Sequence, residues 1–310
     1  MTGSNEQMGI VEKAAAHLRA GGLVAVPTET VYGLAADASN AEAVAQIYRT
    51  KGRPDFNPLI VHVPGLNAAQ QLGQFNPLAL KLAEMFWPGP MTLVLPKTEQ
   101  RSVTEAVTAG LDTIAIRNPK HPIMRELLDA SNLNLAAPSA NKSGGISPTT
   151  AEHVRESLGS DQPIILDGGP CEQGLESTIV AVREGGYQIL RPGPVTEEML
   201  IEASGLKPAA IANQKIEAPG QLASHYAPSK PVRLNVEQAK TDEFYIGFGS
   251  IAGHVNLSQS GDLAETAANL FAALHLADAA DQAKIAIAAI PETGMGQAIN
   301  DRLRRAAVQS

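Results

Sequence analysis

Short apolar runs alternate with segments of helical periodicity from residue 6 to about residue 206, a pattern typical of a layered α/β structure. Eight of these runs have the length of a strand, and they lie at 23–26, 59–63, 92–95, 113–116, 135–137, 164–166, 178–182 and 187–190. Glu184, Gly185 and Gly186 separate the last two runs and predict a hairpin. Because the other runs are irregularly spaced, the pattern predicts a twisted sheet of mixed strand direction.

Residue types that favour helix ends bound two of the intervening helices. Asn76 can cap a helix whose first position is Pro77, and Pro88 stops the same helix. Thr149 and Glu152 form a capping box that predicts a second helix, ending near residue 158. Both helices fall between predicted strands, as a layered structure requires.

Between residues 208 and 231, neither the helical nor the strand periodicity of apolar residues is sustained. A segment of this length inside a folded protein is usually disordered or functional, and this one carries His225, Tyr226 and Pro228. Beyond it, strand-like and helix-like runs alternate at 244–247, 255–257, 262–277 and 284–290. We therefore predict a domain at 1–207, a linker at 208–231 and a compact α/β domain at 232–310.

Length and composition narrow the class of protein. A chain of 310 residues is long enough for two domains. The formal net charge of −8 and the sequence pI of about 5.4 argue against a general nucleic-acid-binding surface but allow a local basic pocket. The single cysteine, Cys171, excludes an internal disulfide and a multi-cysteine metal site. No apolar run has the length of a membrane span and residues 1–6 lack a signal-peptide pattern, so we expect a soluble, cytoplasmic protein.

Cationic residues recur where predicted elements end. Lys51 and Arg53 follow an amphipathic helical segment, and Arg117 and Arg191 close the strands at 113–116 and 187–190. Guanidinium groups suit carboxylate and phosphate oxygens, whereas lysine acts as a mobile point charge. A solvated helix end would explain Lys51 and Arg53 alone. All four cations together predict a convergent anion site.

Uncharged polar residues accompany these cations. Thr30 follows the first predicted strand, His62 lies inside the second, and Ser177 directly precedes the strand at 178–182. By position, Ser177 would share a sheet edge with Arg117. His62 on an apolar strand is as well explained by a satisfied core histidine as by a ligand-binding one. Two or more strands therefore deliver hydrogen-bonding groups to one place.

The loop at 138–149 combines hydroxyls, an amide, a cation and glycines after an apolar strand, and could wrap phosphate oxygens. Ordinary turn chemistry also explains its glycines and proline, and no Gly-Lys-Ser/Thr sequence marks a P-loop. Ser139 and Lys142 fit the Ser-x-x-Lys pattern of serine acyl-transfer enzymes, but the other motifs of those enzymes do not occur. Residues 247–252 fit a dinucleotide-binding spacing, but turn and strand residues follow where a helix is needed.

Several ordered motifs together resemble the threonylcarbamoyl-AMP synthases, whose catalytic unit is the YrdC-like domain; the motifs lie at 28–34, 51–54, 88–92, 116–119, 138–141 and 176–178. The resemblance covers residue 9 to about residue 206. Residues 224–228 and the small domain beyond them resemble the two-domain branch, in which a His-Tyr motif of the linker returns to the catalytic site. The fold class it implies is α/β (α+β): a twisted mixed-sheet domain with a concave cationic site, plus a smaller Rossmann-like domain.

The resemblance also implies a reaction, in which L-threonine, bicarbonate and ATP give threonylcarbamoyl-AMP and pyrophosphate for the modification of a tRNA adenosine. It assigns threonine binding to Thr30, His62, Arg117, Ala137 and Ser177. It assigns ATP binding to Arg53, Asn57, Thr113, Ser139, Ser147, Arg191 and Tyr226. Lys51 and Arg53 would be the catalytic cations, aided by Mg²⁺ carried on the triphosphate, and we expect no metal site made by the protein. The linker would act as a lid.

A product of this kind needs a downstream tRNA threonylcarbamoyl-transfer enzyme or complex, and we expect no membrane partner. Three alternatives stay open: carbamoyl-adenylate chemistry with another acceptor, Ser-Lys acyl transfer, and a non-catalytic RNA-binding module. Net acidity and the lack of aromatic stacking clusters count against the RNA-binding module, although direct tRNA binding is not decided by the sequence.

Overall fold

The computed structural model describes residues 2–99, 102–159, 163–210, 217–220 and 226–308, with side chains from residue 9 onward. The helices of the described residues are α1 (Thr2–Arg19), α2 (Ala41–Lys51), α3 (Leu66–Leu72), α4 (Pro77–Phe86), α5 (Glu105–Thr108), α6 (Pro122–Ser131), α7 (Ala151–Leu158), α8 (Glu197–Ser204), α9 (Leu263–Ala279) and α10 (Met295–Ala306). None of these helices is both long enough and apolar enough to cross a membrane.

A large mixed sheet forms the N-terminal unit. Its strands are β1 (Val24–Val26), β2 (Gly33–Asp37), β3 (Ile60–His62), β4 (Met91–Pro96), β5 (Thr113–Arg117), β6 (Leu135–Ala136), β7 (Ile164–Ile165), β8 (Thr178–Arg183) and β9 (Gly186–Arg191). They lie in the order β7-β1-β2-β6-β3-β5-β4-β8-β9. The pairs β1–β7, β3–β5 and β4–β8 are parallel and the others antiparallel, which confirms the predicted mixed sheet.

All eight predicted strands of this unit are present, and β8 and β9 form the predicted hairpin with a two-residue turn at Glu184 and Gly185. The strand β2 was missed because its sequence, Gly-Leu-Ala-Ala-Asp, is rich in residues of low strand propensity. Asn76 caps α4 as predicted by accepting from the Ala79 N–H. The cap of α7 is Thr150 and not Thr149, because the Thr150 hydroxyl is the one that accepts a backbone N–H of the first turn.

A smaller parallel sheet forms the C-terminal unit. Its strands are β10 (Val232–Arg233), β11 (Glu243–Gly247), β12 (Val255–Asn256) and β13 (Lys284–Ile287), in the order β10-β13-β11-β12. The strands β11, β12 and β13 and the helix α9 coincide with predicted elements, whereas β10, which has two residues, and α10 were not predicted. No side chain caps α10, and its buried apolar residues, Ala298, Ile299, Leu303 and Ala306, are outnumbered by polar ones.

The two units share an apolar core next to the predicted site. Val31, Ile146 and Leu175 of the N-terminal unit pack in one cluster with Phe271 and other residues of α9. Gly174 lies so close to α9 that a Cβ there would be 2.4 Å from the Ala267 carbonyl oxygen. The C-terminal unit is therefore packed tightly against segments that adjoin the site.

Candidate active site

Four strands bring predicted site residues to one edge of the large sheet. His62 ends β3, Arg117 ends the parallel strand β5, and the two residues are paired in register. Since β4 is antiparallel to β5 and β8 is parallel to β4, Ser177 reaches the same edge directly before β8. The strand β9 returns antiparallel to β8 and ends there with Arg191. Strand direction thus places four distant segments around one space.

A cavity, called the pocket below, opens at this edge. Most residues that the sequence analysis assigned to threonine or ATP line it: Thr30, Arg53, His62, Arg117, Ala137, Ser139, Ser177, Arg191 and Tyr226. Four assigned residues are not in its lining: Lys51, Asn57, Thr113 and Ser147. Eight lining residues were not assigned a role from the sequence: Thr28, Val31, Gly33, Ile60, Pro138, Glu176, Pro219 and Gly220.

Arg117 is held in place by a buried carboxylate that the sequence analysis missed. Its Nη2 donates to Glu29 Oε1 at 2.5 Å and its Nη1 donates to Thr30 Oγ1 at 2.8 Å. The other Glu29 oxygen accepts the backbone N–H groups of Lys120 and His121. Burial alone would raise the pKa of Glu29, but the Arg117 guanidinium holds it below its ordinary value. Glu29 is therefore charged, and it orients Arg117 before any ligand binds.

His62 is a neutral imidazole in the wall of the pocket. Burial, helped by the positive charge of Arg117, lowers its pKa to about 3. Among the described residues, its Nδ1 atom has no hydrogen-bond partner. A buried polar atom without a partner is costly unless water or a ligand satisfies it. The Nδ1 atom of His62 is thus available for a hydrogen bond to an uncharged polar group of a ligand.

Ser177 and Arg191 form the opposite wall. The Nε and Nη2 atoms of Arg191 both donate to the Ser177 carbonyl oxygen, at 3.2 and 2.9 Å. The Ser177 hydroxyl lies 2.7 Å from that of Thr92 on β4. Thr92 belongs to the motif at 88–92, but its contact with Ser177 was not predicted because the two residues are far apart in the sequence. Because Arg191 Nη2 also donates to the Ser177 hydroxyl at 3.2 Å, Arg191 fixes both the main chain and the side chain of Ser177.

Arg53 enters the pocket from the loop after α2. Its Nη2 donates to the Pro58 carbonyl oxygen at 2.9 Å and its Nε to that of Asn57 at 3.2 Å. Burial is the main reason that the pKa of Arg53 falls to about 10, so the guanidinium still carries its charge near neutral pH. The Asn57 amide is buried, and neither its nitrogen nor its oxygen has a partner among the described residues. Its assignment to the nucleotide stays a prediction, and the unpartnered amide is compatible with it.

Lys51 holds the loop at 139–145 instead of lining the pocket. Its ammonium group donates to the Ser139 carbonyl oxygen at 2.6 Å and to the carbonyl oxygen of Asn141. Burial lowers the pKa of Lys51, but these acceptors match the donors of an ammonium group. The Ser139 hydroxyl donates to the Asn141 side chain, while Lys142 Nζ donates to the Thr50 carbonyl oxygen. No Ser139–Lys142 hydrogen bond is formed, which argues against the Ser-Lys acyl-transfer alternative.

Two residues assigned to ATP lie away from the pocket. The Ser147 hydroxyl is buried and donates to Glu176 Oε1 at 2.5 Å, so it contacts the wall from behind. Thr113 begins β5, about 13 Å along the strand from Arg117. Alternation along β5 nevertheless places Thr113 on the same sheet face as Arg117. Both assignments stay predictions.

The described part of the linker closes one side of the pocket. Pro219, Gly220 and Tyr226 line it, and Ala218 packs in an apolar cluster with Ile60 on the sheet. Tyr226 is completely buried, and its side chain interacts with Arg191. Its backbone φ of 64° is unfavourable for a residue other than glycine. The histidine of the predicted His-Tyr motif, His225, lies outside the described residues.

The walls of the pocket are cationic and poorly suited to a resident metal. Both carboxylates that approach it are paired with arginines, Glu29 with Arg117 and Glu176 with Arg302. Within the described ranges, no three His, Cys, Asp or Glu residues group as metal ligands. The available groups therefore suit an anion, or a metal ion that arrives bound to that anion.

A mixed sheet whose strand ends carry buried arginines and hydroxyls around one anion pocket defines a YrdC-like catalytic domain, here followed by a small parallel α/β unit. The chain belongs to the threonylcarbamoyl-AMP synthase family. A family model described as "Telomere recombination", covering Sua5, YciO and YrdC proteins, matches residues 16–193. A second, described as "Threonylcarbamoyl-AMP synthase, C-terminal domain", matches residues 195–308.

Relatives match along almost the whole chain. The threonylcarbamoyl-AMP synthase of Bacillus subtilis is 39% identical, over 96% of this chain and 92% of the relative. That of Pyrococcus abyssi is 40% identical, over 94% of this chain and 92% of the relative. The crystal structure of P. abyssi Sua5 complexed with L-threonine superimposes with a TM-score of 0.86 at 37% identity, over 96% of this chain and 94% of that chain.

Proposed function

We propose that this chain condenses L-threonine, bicarbonate and ATP to threonylcarbamoyl-AMP and pyrophosphate, the first step of threonylcarbamoyladenosine formation in tRNA. The observation that carries the proposal is the pocket itself, in which Arg53, Arg117 and Arg191 converge with Thr30 and Ser177 on one cavity. A reaction that joins an amino acid to a nucleotide needs a carboxylate site beside a triphosphate site. The pocket offers separate cations for the two.

The threonine side is the part of the pocket around Arg117. Arg117 would bind the substrate carboxylate, while Thr30 and Ser177 would contact the amine and hydroxyl. The neutral His62 and the small side chain of Ala137 leave room for an uncharged methyl-bearing side chain. The P. abyssi relative is described as complexed with L-threonine, which supports this choice of substrate.

The nucleotide side runs from Arg191 past Ser139 to Arg53. Arg53 is charged, and Lys51 fixes the carbonyl groups of the loop that presents Ser139. Asn57 and Thr113 are outside the lining of the pocket, and we keep both as candidate nucleotide contacts. In this proposal Arg53 acts on the leaving pyrophosphate directly, whereas Lys51 acts by holding the loop.

The proposed chemistry is balanced without a residue that forms a covalent intermediate. The threonine amine and bicarbonate give a carbamate and water, and a carbamate oxygen then attacks the α-phosphorus of ATP while the bond to pyrophosphate breaks. Positioning and stabilisation of the developing negative charge would supply most of the rate. The residues carrying that charge stabilisation are Arg53 and Arg191.

Exclusion of water protects the carbamate and the mixed anhydride, both of which decompose readily. The linker would provide it, because Pro219, Gly220 and Tyr226 cover one side of the pocket. Mg²⁺ would enter on the triphosphate and neutralise phosphate charge, held by phosphate oxygens and water. We further propose that the product is passed to a tRNA-modifying transfer enzyme in the cytoplasm.

Pyrophosphate release from ATP tests the proposal. Release that requires both bicarbonate and L-threonine, and that other amino acids do not support, is the expected result. Release without threonine would contradict the proposal and favour carbamoyl-adenylate chemistry with another acceptor. Tight, salt-sensitive tRNA binding without any release would instead favour the RNA-binding alternative.

A further inference from the structure

One arginine of the C-terminal unit reaches the wall of the pocket. Arg302 on α10 has no exposed surface, and it is the largest fully buried side chain among the described residues. Its Nε donates to Glu176 Oε2 at 2.8 Å, and its Nη2 lies 3.5 Å from the Glu176 carbonyl oxygen. Its Nη1 donates to Asp301 Oδ2 at 2.7 Å. The guanidinium therefore holds both the main chain and the side chain of a pocket-lining residue.

Glu176 connects this arginine to the proposed threonine and nucleotide contacts. It is the neighbour of Ser177, and its other carboxylate oxygen accepts from the Ser147 hydroxyl. Arg191 holds the carbonyl oxygen of Ser177. The segment Glu176 to Ser177 is thus fixed between two arginines, one from each unit of the protein.

Arg302 also supports Tyr226 in the linker. The guanidinium carbon lies 5.2 Å from the centre of the Tyr226 ring, within the range of a cation–π contact. Tyr226 has an unfavourable φ of 64° and needs neighbours that hold it. Phe271 on α9 is a second such neighbour, with ring centres 5.7 Å apart. The C-terminal unit therefore backs two separate parts of the pocket.

Stability alone is a weak reason for a buried ion pair at this place. Removing two charges from water costs about as much as their attraction returns, and apolar replacements of such pairs are often neutral or stabilising. Burial opposes ionisation on both sides, yet the pKa of Glu176 is lowered by Arg302 and Arg191, and that of Arg302 is raised by Tyr226 and Glu176. Both groups are therefore charged, and their geometry is fixed.

We propose that Arg302 is a positioning residue of the reaction: it holds the Glu176–Ser177 segment and the Tyr226 ring in place, so that the C-terminal unit completes the pocket. This inference rests on the proposed function. Because Arg302 touches no substrate, its loss would shift the walls of the pocket while leaving the arginines that bind substrate intact. Shifts of this kind, on the order of 1 Å, would weaken the contacts that hold both bound substrates, and weaker binding raises KM.

The test compares Arg302→Met with Arg304→Met in the full-length protein. Arg304 lies on the same helix but is exposed and paired with the exposed Glu292, so its loss should leave activity unchanged. For Arg302→Met we expect kcat/KM for threonine and for ATP to fall about tenfold or more, with most of the loss in KM. A merely structural role would lower the folded fraction and hence kcat, with both KM values unchanged, and that result would overturn the inference.

Arg302→Lys keeps the charge but lacks the planar fork, so its KM values should also rise, to a smaller extent. If Arg302→Met fails to fold, Arg302→Lys decides the matter: a folded variant with wild-type KM values would contradict the inference. Glu176→Gln combined with Arg302→Met should cost little more than either change alone, whereas additive losses would show that the two act separately. Wild-type protein without threonine-dependent turnover would refute the proposed function, a failure distinct from these.

Discussion

The arginines of the pocket are each held by protein acceptors, which leaves them oriented for a ligand. Arg117 is paired with Glu29, Arg191 with the Ser177 carbonyl group, and Arg53 with carbonyl groups of its own loop. Groups fixed in this way need little reorganisation when charge develops on a substrate. The sequence identified the arginines because they stand where predicted helices or strands end, but not Glu29, whose partner is 88 residues away.

Arg117→Lys should weaken L-threonine binding by about tenfold or more. Lysine keeps the charge but cannot bond Glu29, Thr30 and a carboxylate in one plane. Calorimetric titration with L-threonine measures the effect, with the exposed Arg49→Lys as control. An unchanged Kd in a folded Arg117→Lys protein would remove Arg117 from the threonine site.

His62 should make the protein less stable in acid. The pKa of His62 is about 3 in the folded protein, against an ordinary value of about 6.5 that also applies to the unfolded chain. Between about pH 3 and about pH 6.5 the unfolded chain therefore binds more protons than the folded protein. Stability from this group is therefore complete above about pH 6.5 and is lost as the pH falls toward 3.

His62→Gln, which does not titrate, isolates this effect. The free energy of unfolding of the wild type should fall by about 2 kcal/mol more than that of His62→Gln between about pH 7 and about pH 5. Urea titrations at the two pH values measure the difference. Equal losses in the two proteins would mean that His62 is not buried as a neutral group.

At the level of elements, the pattern of apolar residues was sufficient to predict α9 and every strand of the large sheet except β2, and it was not sufficient for α10. Alanines and glycine give β2 a weak strand pattern, and it forms because both of its neighbours, β1 and β6, pair with it. The helix α10 carries Arg302, which is fully buried and contacts Glu176 of the N-terminal unit and Tyr226 of the linker. Both elements depend on tertiary contacts that a local pattern does not contain.

The packing of α9 on the N-terminal unit predicts a sharp difference between two glycines. Gly174 and Gly185 both have positive φ, of 65° and 80°. A Cβ at Gly174 would lie 2.4 Å from the Ala267 carbonyl oxygen, whereas one at Gly185 would meet nothing within 4 Å. Gly185→Ala should therefore cost only the backbone penalty of about 1 kcal/mol.

Gly174→Ala should destabilise the protein by about 2 kcal/mol more than this, because the methyl group must displace the backbone of α9. Urea unfolding of the two variants measures the difference directly. Equal destabilisation would mean that the C-terminal unit does not pack against Gly174 in solution.

For the whole molecule, the two units and the linker enclose one site. Tyr226 belongs both to the pocket and to the apolar cluster between the units. If the linker acted only as a lid, as interpreted from the sequence, Tyr226→Ala would lower turnover more than it lowers stability. Complete burial of the ring changes that expectation, since the loss of a buried aromatic ring costs about 3 kcal/mol or more.

Tyr226→Phe separates the two roles. The ring and its packing remain, while the hydroxyl that interacts with Arg191 is lost. We expect a melting temperature within a few degrees of the wild type and a fall in kcat/KM for ATP of about fivefold to tenfold. Steady-state kinetics and thermal melting of the same preparation test this, and wild-type kinetics would show that the hydroxyl has no part in ATP use.

The central claim is that the pocket joins threonine, bicarbonate and ATP in one product. Incubation with isotopically labelled bicarbonate, L-threonine and ATP, followed by rapid mass spectrometry, tests it most directly. The account predicts a product that contains threonine, AMP and the labelled carbon together, formed by the wild type and strongly reduced in Arg117→Lys. Labelled carbon that appears with AMP but without threonine, or no labelled nucleotide at all, would contradict it.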